Sequence, residues 1–216
     1  MNTLKLEAYN TIKERIILCE YPPNSLLSEE KLKAELKISR TPIRDALSRL
    51  EQESLIQIIP RKGILIRGIT PDEVEQVFEM RMLIEPHAIK KYGHTVDREI
   101  LGEMESFFSR DPEDLSLDAI HKKDDEFHQL FVSVSKNAYI IEAYKFAYIQ
   151  NIRLRILSGN LGNDRIKKSQ NEHMEITKWC LKENWDKAAN QLNEHLLNSR
   201  EASLISINNL QVLLRR

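Results

Sequence analysis

Cysteine is scarce in this chain: Cys19 and Cys180 are the only two among 216 residues. They form neither a Cys-x-x-Cys pair nor a disulfide framework. That excludes a disulfide-stapled scaffold and fits bland thiols in a reducing cytoplasm. Long apolar runs are missing as well. No stretch approaches the ~20 residues a membrane span needs, so no membrane partner is expected. The first residues are charged and amphipathic, and they lack the apolar core of a secretory signal. Internal repeats and low-complexity tracts are absent. Net charge is nearly absent too, at −1, which excludes a uniformly basic nucleic-acid binder. What remains is a chain with 41% hydrophobic and 30% charged residues, enough to bury a globular core.

The small net charge hides an asymmetry. Residues 1–68 hold 12 Lys+Arg and 9 Asp+Glu, hence +3; residues 69–216 hold 20 and 24, hence −4. A basic head on an acidic body fits a DNA-binding module joined to a module of another kind.

Residues 24–67 give the head its character. A first helix runs from about Leu4 to Leu18 and stops at Tyr21-Pro22-Pro23-Asn24. Ser28 offers a hydroxyl as an N-cap, and Glu29 and Glu30 fall in the first turn, where the helix dipole favours acid. After a turn at Lys37-Ile38-Ser39, Thr41-Pro42 starts the next helix, with Thr41 as cap and Pro42 at the first position. Ile43, Ala46, Leu47 and Leu50 form its inner face; Arg40, Arg44 and Ser48 fall on another. Ile56–Ile59 and Ile64–Ile66 are β-rich runs flanking Pro60-Arg61-Lys62-Gly63, a hairpin turn with a basic tip. This order of elements is a winged helix-turn-helix. Arginine bridges guanine O6 and N7 and also pairs with phosphate. The expected DNA contacts are Arg40 and Arg44 on base edges, Ser39 and Thr41 on phosphate, and Arg61 and Lys62 of the wing on backbone or minor groove. The competing reading pairs Arg44 with Asp45 or Glu51 on a solvated face.

Thr70-Pro71-Asp72-Glu73 reads as a capping box, which puts the domain boundary near residues 68–70. Helices are expected at about 71–92, 97–109, 114–135, 138–158, 165–182 and 184–213. The breaks fall at Tyr92-Gly93, Asp111-Pro112, Lys136-Asn137, Ser158–Asn163 and Glu183-Asn184. The expected fold class is therefore mainly α: a winged helix-turn-helix with a small β-hairpin, then an all-α bundle.

Asp124 and His128 stand at i, i+4, so one helix face carries both. His173 and His195 lie on two later helices that antiparallel packing can bring alongside. One carboxylate with three imidazoles suits a divalent transition metal: Zn, Ni, Mn or Fe. On spacing alone, ordinary surface or core histidines are the competing reading.

The first domain resembles the GntR family of bacterial transcription regulators, through Tyr21-Pro22-Pro23, Leu27-Ser28-Glu29, Ser39-Arg40-Thr41-Pro42-Ile43-Arg44, Ala46-Leu47, Leu50, Glu53, Leu55 and Gly63. Many members carry a DNA-contacting arginine where this chain has Glu30, so an altered operator is expected. The second domain resembles the FCD effector domain, through the segment from Asp124 to Ile140, Asn171-Glu172-His173, the Glu183–Ala189 turn and Asn193-Glu194-His195. The resemblance implies metal ligation by Asp124, His128, His173 and His195. It also implies a homodimer on a palindromic double-stranded operator and a small-carboxylate effector, with Arg81, Asn137 and Arg153 as candidate effector contacts. For Arg81, an intrahelical pair with Glu85 is the competing reading. Two alternatives to the effector-responsive regulator are a metal sensor, in which the ion is the signal, and a metalloenzyme acting on a small acid; the regulator reading is preferred, so no catalytic residues are assigned.

Overall fold

A computed structural model describes residues 3–157 and 163–214; of the expected break at Ser158–Asn163, all but Asn163 lies outside them, and Asn163 begins a helix. Contacts divide the chain into two compact units. One holds the chain up to Thr70 together with Ile149–Leu157; the other holds Pro71–Tyr148 and the later helices.

The first unit contains α1 (Thr3–Ile17), β1 (Leu26–Leu27), α2 (Glu29–Leu36), α3 (Arg40–Gln52), β2 (Ile56–Ile59) and β3 (Gly63–Ile66). Ser28 caps α2 by accepting from Lys31 N at 3.1 Å, an arrangement worth about 1 kcal/mol. Lys37 ends that helix in the left-handed region. α3 begins one cap earlier than expected. Its N-cap is Ser39 rather than Thr41, which moves Pro42 from the first to the third helical position. That position is tolerated because first-turn N–H groups have no intrahelical partner. Ile43, Ala46, Leu47 and Leu50 are buried against Ile12, Ile16 and Leu32, each large side chain contributing about 1.5–3 kcal/mol.

The strands form one antiparallel sheet in the order β1-β3-β2, with Ile59 opposite Gly63 across the wing turn. β1 was not expected; two residues are too short to show a period of two. Arg61 sits at φ 63 and Gly63 at φ 126. A Cβ at Gly63 would lie 2.6 Å from the Leu27 carbonyl oxygen, so glycine is required where β3 crosses β1.

The second unit contains α4 (Pro71–Tyr92), α5 (Arg98–Phe108), α6 (Leu117–Val134), the first half of α7 (Ala138–Leu157), α8 (Asn163–Leu181) and α9 (Trp185–Leu214). Pro71 opens α4 as the capping signal implied, and the helix continues through Pro86. Asp97 caps α5 through Glu99 N, and Ser116 caps α6 through Ala119 N. α4 packs on α6 and α9, and α8 on α5 and α9. Phe78, Phe108, Phe127, Phe131, Ile176, Leu192 and Leu196 are buried in this unit. Among the described residues, no helix is long and apolar enough to cross a membrane.

Candidate nucleic-acid interface and metal centre

α3 separates its faces cleanly. Ile43, Ala46, Leu47 and Leu50 are buried, while Ser39, Arg40, Thr41, Arg44 and Ser48 are exposed. Arg61 and Lys62 are exposed on the wing tip. All six expected DNA-contacting residues are therefore on the surface of one unit. The acids that meet the arginines are not those expected from α3 itself. Arg44 Nε lies 3.0 Å from both oxygens of Glu29, and Arg40 pairs with Glu30. Asp45 pairs with Lys5, and Glu51 accepts from Ile58 N at 2.7 Å. The expected local partners are thus engaged elsewhere, and the helix-turn-helix brings α2 acids over the α3 arginines instead.

In the second unit, Asp124 and His128 on α6, His173 on α8 and His195 on α9 come together. One ligand atom from each lies within 4.8 Å of all the others. His128 Nε2 is 3.2 Å from His173 Nε2, and Asp124 Oδ1 is 3.9 and 3.7 Å from those two nitrogens. The three histidines are buried, with exposures of 4%, 1% and 2%. Two ligands each about 2.0–2.1 Å from one ion are at most about 4.2 Å apart, so the set needs little adjustment to share one.

Carboxylates stand behind two of the rings. Glu85 Oε2 is 2.6 Å from His128 Nδ1, and Glu172 Oε2 is 2.8 Å from His195 Nδ1. A carboxylate only accepts, so both Nδ1 atoms carry the proton and both Nε2 atoms present lone pairs. His173 packs instead on Phe108 and Phe127, with ring centroids 4.8 and 4.6 Å away.

Burial holds the His173 imidazole well below its usual range, the neighbouring His195 adding to this while Asp124 opposes it. Burial also lowers His195, against the hydrogen bond it donates to Glu172. Burial alone would raise Glu85, but the Arg81 guanidinium and the hydrogen bonds donated by His128 and Arg81 outweigh it and hold the carboxyl at about 2. The result favours neutral His173 and His195 beside ionised Glu85 and Glu172, the protonation states that a metal requires.

The three residues expected at the effector have partners of their own. Arg81 is 2% exposed and its Nε donates to Glu85 Oε1 at 2.6 Å, the pair anticipated as the competing reading. Asn137 Oδ1 caps α7 by accepting from Tyr139 N at 3.0 Å and Ile140 N at 3.3 Å. Arg153 groups with the first unit, donating to Gln150 at 2.9 Å and to the Arg67 carbonyl. Sequence reasoning missed Glu85 as a partner of His128, and it missed Tyr144, whose hydroxyl donates to Glu85 at 2.9 Å. Glu172 lay inside a quoted motif, but its partnership with His195 spans two helices.

A winged helix-turn-helix with an exposed arginine-bearing helix, joined in one chain to an all-helical unit with an internal Asp/His cluster, is the architecture of a two-domain transcription regulator. Residues 4–66 match the model of "Bacterial regulatory proteins, gntR family", and residues 76–198 match the FCD domain. The chain belongs to the GntR family of bacterial regulatory proteins and carries an FCD domain. It is 26% identical over 197 residues to the HTH-type transcriptional regulator YdhC of Bacillus subtilis, covering 88% of this chain and 86% of that one. A GntR-type regulator from Rhodococcus sp. RHA1 has the same fold, with a TM-score of 0.78 at 18% identity over 93% of this chain and 97% of that one. The Zn2+-bound FCD domain of TM0439 matches at TM-score 0.50 and 22% identity, over 66% of this chain and 97% of that domain. The protein is thus a transcription regulator that binds DNA through its gntR-type domain; the relative is named as a regulator, not as an enzyme.

Proposed function

We propose that this cytoplasmic regulator binds a palindromic double-stranded operator as a homodimer, and that a small carboxylate effector controls it through a metal held by Asp124, His128, His173 and His195. The observation that carries the reading is the convergence of one carboxylate and three buried imidazoles from three helices. Hydrogen bonds to Glu85 and Glu172 turn the Nε2 atoms of His128 and His195 toward it. That donor set suits Zn, Ni, Mn or Fe, and the Zn2+-bound form of a similarly folded domain is in keeping with it. When bound, the ion supplies a Lewis-acidic anchor for a carboxylate. Arg81, Asn137 and Arg153 remain the effector contacts that family likeness implies, each in competition with its internal partner.

On DNA, Arg40 and Arg44 read bases, Ser39 and Thr41 hold phosphate, and Arg61 and Lys62 reach from the wing. Two recognition helices of a dimer fit successive half-sites about 34 Å apart or a multiple of it. An effector alters operator affinity only by the difference in its own affinity for the DNA-competent and incompetent states. The test is operator binding by purified protein, metal-free and loaded with each of the four metals, with and without a panel of small mono- and dicarboxylates. A carboxylate that shifts operator affinity only when metal is present supports the proposal. A response to the ion alone supports the metal-sensor alternative. No response to either sinks both.

A further inference from the structure

Glu85 is an internal anion that neither the motif spacing nor the family likeness marks as part of the candidate centre. It is 1% exposed, and both oxygens are engaged. Oε1 accepts from Arg81 Nε at 2.6 Å and from the Tyr144 hydroxyl at 2.9 Å. Oε2 accepts from His128 Nδ1 at 2.6 Å. Side chains from α4, α6 and α7 therefore meet at one carboxylate.

Only donors can face a carboxylate at these distances. The proton of His128 is thereby fixed on Nδ1, and its lone pair lies on Nε2, the atom 3.2 Å from His173 Nε2. Without this anchor the ring could flip or exchange its proton to Nε2, and the lone pair would leave the cluster. Arg81 and Tyr144 in turn keep Glu85 from rotating away. Because Arg81 and Glu85 cancel in charge, they orient His128 without adding net negative charge to the cluster. A simple i, i+4 ion pair accounts for the contact between Arg81 and Glu85; it does not account for the second oxygen on His128 Nδ1.

His195 has a similar partner in Glu172, but the oxygen facing it, Oε2, is shared with Arg165. The Glu172 carboxylate accepts from Arg165 at 3.1 Å and from Asn198 at 2.8 Å, and its side chain is 11% exposed. Glu85 is the drier anchor, and a hydrogen bond to a desolvated carboxylate constrains its donor more strongly.

We propose that Glu85, held by Arg81 and Tyr144, is a positioning residue for His128 that fixes the tautomer and ring orientation with which this imidazole ligates the metal. The inference rests on reading Asp124, His128, His173 and His195 as a metal centre. Outer partners of this kind typically set metal affinity by about 10- to 100-fold.

The test uses the full chain as wild type, Glu85→Gln and Tyr144→Phe. Zn2+ affinity is measured by competition with a chromophoric chelator, and the visible absorption of the Co2+-loaded protein reports ligand geometry. Tyr144→Phe keeps the carboxylate on His128 and touches no ligand. The expected result is Zn2+ binding weakened about 10- to 100-fold in Glu85→Gln, with altered Co2+ bands, and a smaller loss of the same kind in Tyr144→Phe. A folded Glu85→Gln with wild-type affinity and spectrum overturns the proposal. If Glu85→Gln does not fold, Tyr144→Phe decides, and an unchanged affinity and Co2+ spectrum there overturns it. If the wild type itself takes up neither ion, the metal-centre reading fails and this inference falls with it, an outcome distinct from equal binding by wild type and variants.

Discussion

Arg44 on α3 and Glu29 on α2 face each other across the helix-turn-helix, with Arg44 Nε 3.0 Å from both carboxylate oxygens. The guanidinium proposed to read DNA is thus held by a half-exposed carboxylate, which base edges or phosphate can replace. An exposed pair of this kind adds little to folding. Arg44→Ala should therefore leave the melting temperature unchanged while weakening specific operator binding about 10- to 100-fold and relaxing preference at one base pair. Fluorescence anisotropy with an operator selected from random duplexes checks this, and an unchanged preference would remove Arg44 from base reading.

Glu30 pairs with Arg40 and puts a negative charge where the family resemblance leads one to expect a DNA-contacting arginine. Removing it should help binding to any sequence. Glu30→Ala is expected to tighten non-specific DNA binding and to steepen the salt dependence by about one counterion. Titrations at several salt concentrations decide the matter; weaker binding in the variant would show that Glu30 orients Arg40 productively.

Gly63 combines a φ of 126 with a 2.6 Å approach to the Leu27 carbonyl. Gly63→Ala must either clash with backbone or pull β3 from β1. A loss of about 1–3 kcal/mol is expected, read as a lower denaturation midpoint of the full chain together with impaired operator binding. Wild-type stability would show that the wing turn relaxes freely.

Elemental analysis of the purified protein should find about one transition-metal ion per chain, and none in the His128→Ala/His173→Ala double variant. Both residues are distant in sequence from the DNA-binding residues, so the double variant is expected to retain basal operator affinity. Equal metal content in both proteins would locate the ion elsewhere.

The metal-free protein should lose stability in acid in two steps. His173 and His195 are depressed below 6.5, so the unfolded chain binds their protons first. Stability is then complete above about pH 6.5 and falls as pH drops through that value toward the native ones. Glu85, at about 2 against an ordinary 4.5, adds a second loss between those values. Melting curves from about pH 8 to about pH 4, a range that brackets the ordinary histidine value, check the first step. A flat profile above pH 5 would mean that the buried imidazoles accept protons as readily as free ones.

Much of this was legible in the sequence because its signals are local. Ser28 before Glu29-Glu30, the spacing of Ile43, Ala46, Leu47 and Leu50, and Pro71 after Thr70 act within one or two helical turns. They marked α2, α3 and α4 to within a few residues. The cap of α3 was misplaced by two positions: Thr41 carries a suitable hydroxyl, but Ser39 holds the N-cap position through extended backbone, with no side-chain hydrogen bond. β1 was missed because Leu26-Leu27 becomes a strand only by pairing with Leu65 and Ile64.

The sequence by itself determined the order of elements, the basic tip at Arg61-Lys62 and the placing of Asp124 and His128 on one helix face, through backbone preference and side-chain periodicity. Only the tertiary structure decided which charges meet. Glu29 lies 15 residues before Arg44, Glu85 43 residues before His128, and Tyr144 59 residues after Glu85. Such partners are selected by packing; at Glu85 it buries an anion where three donors converge to replace its water. No local pattern records that condition.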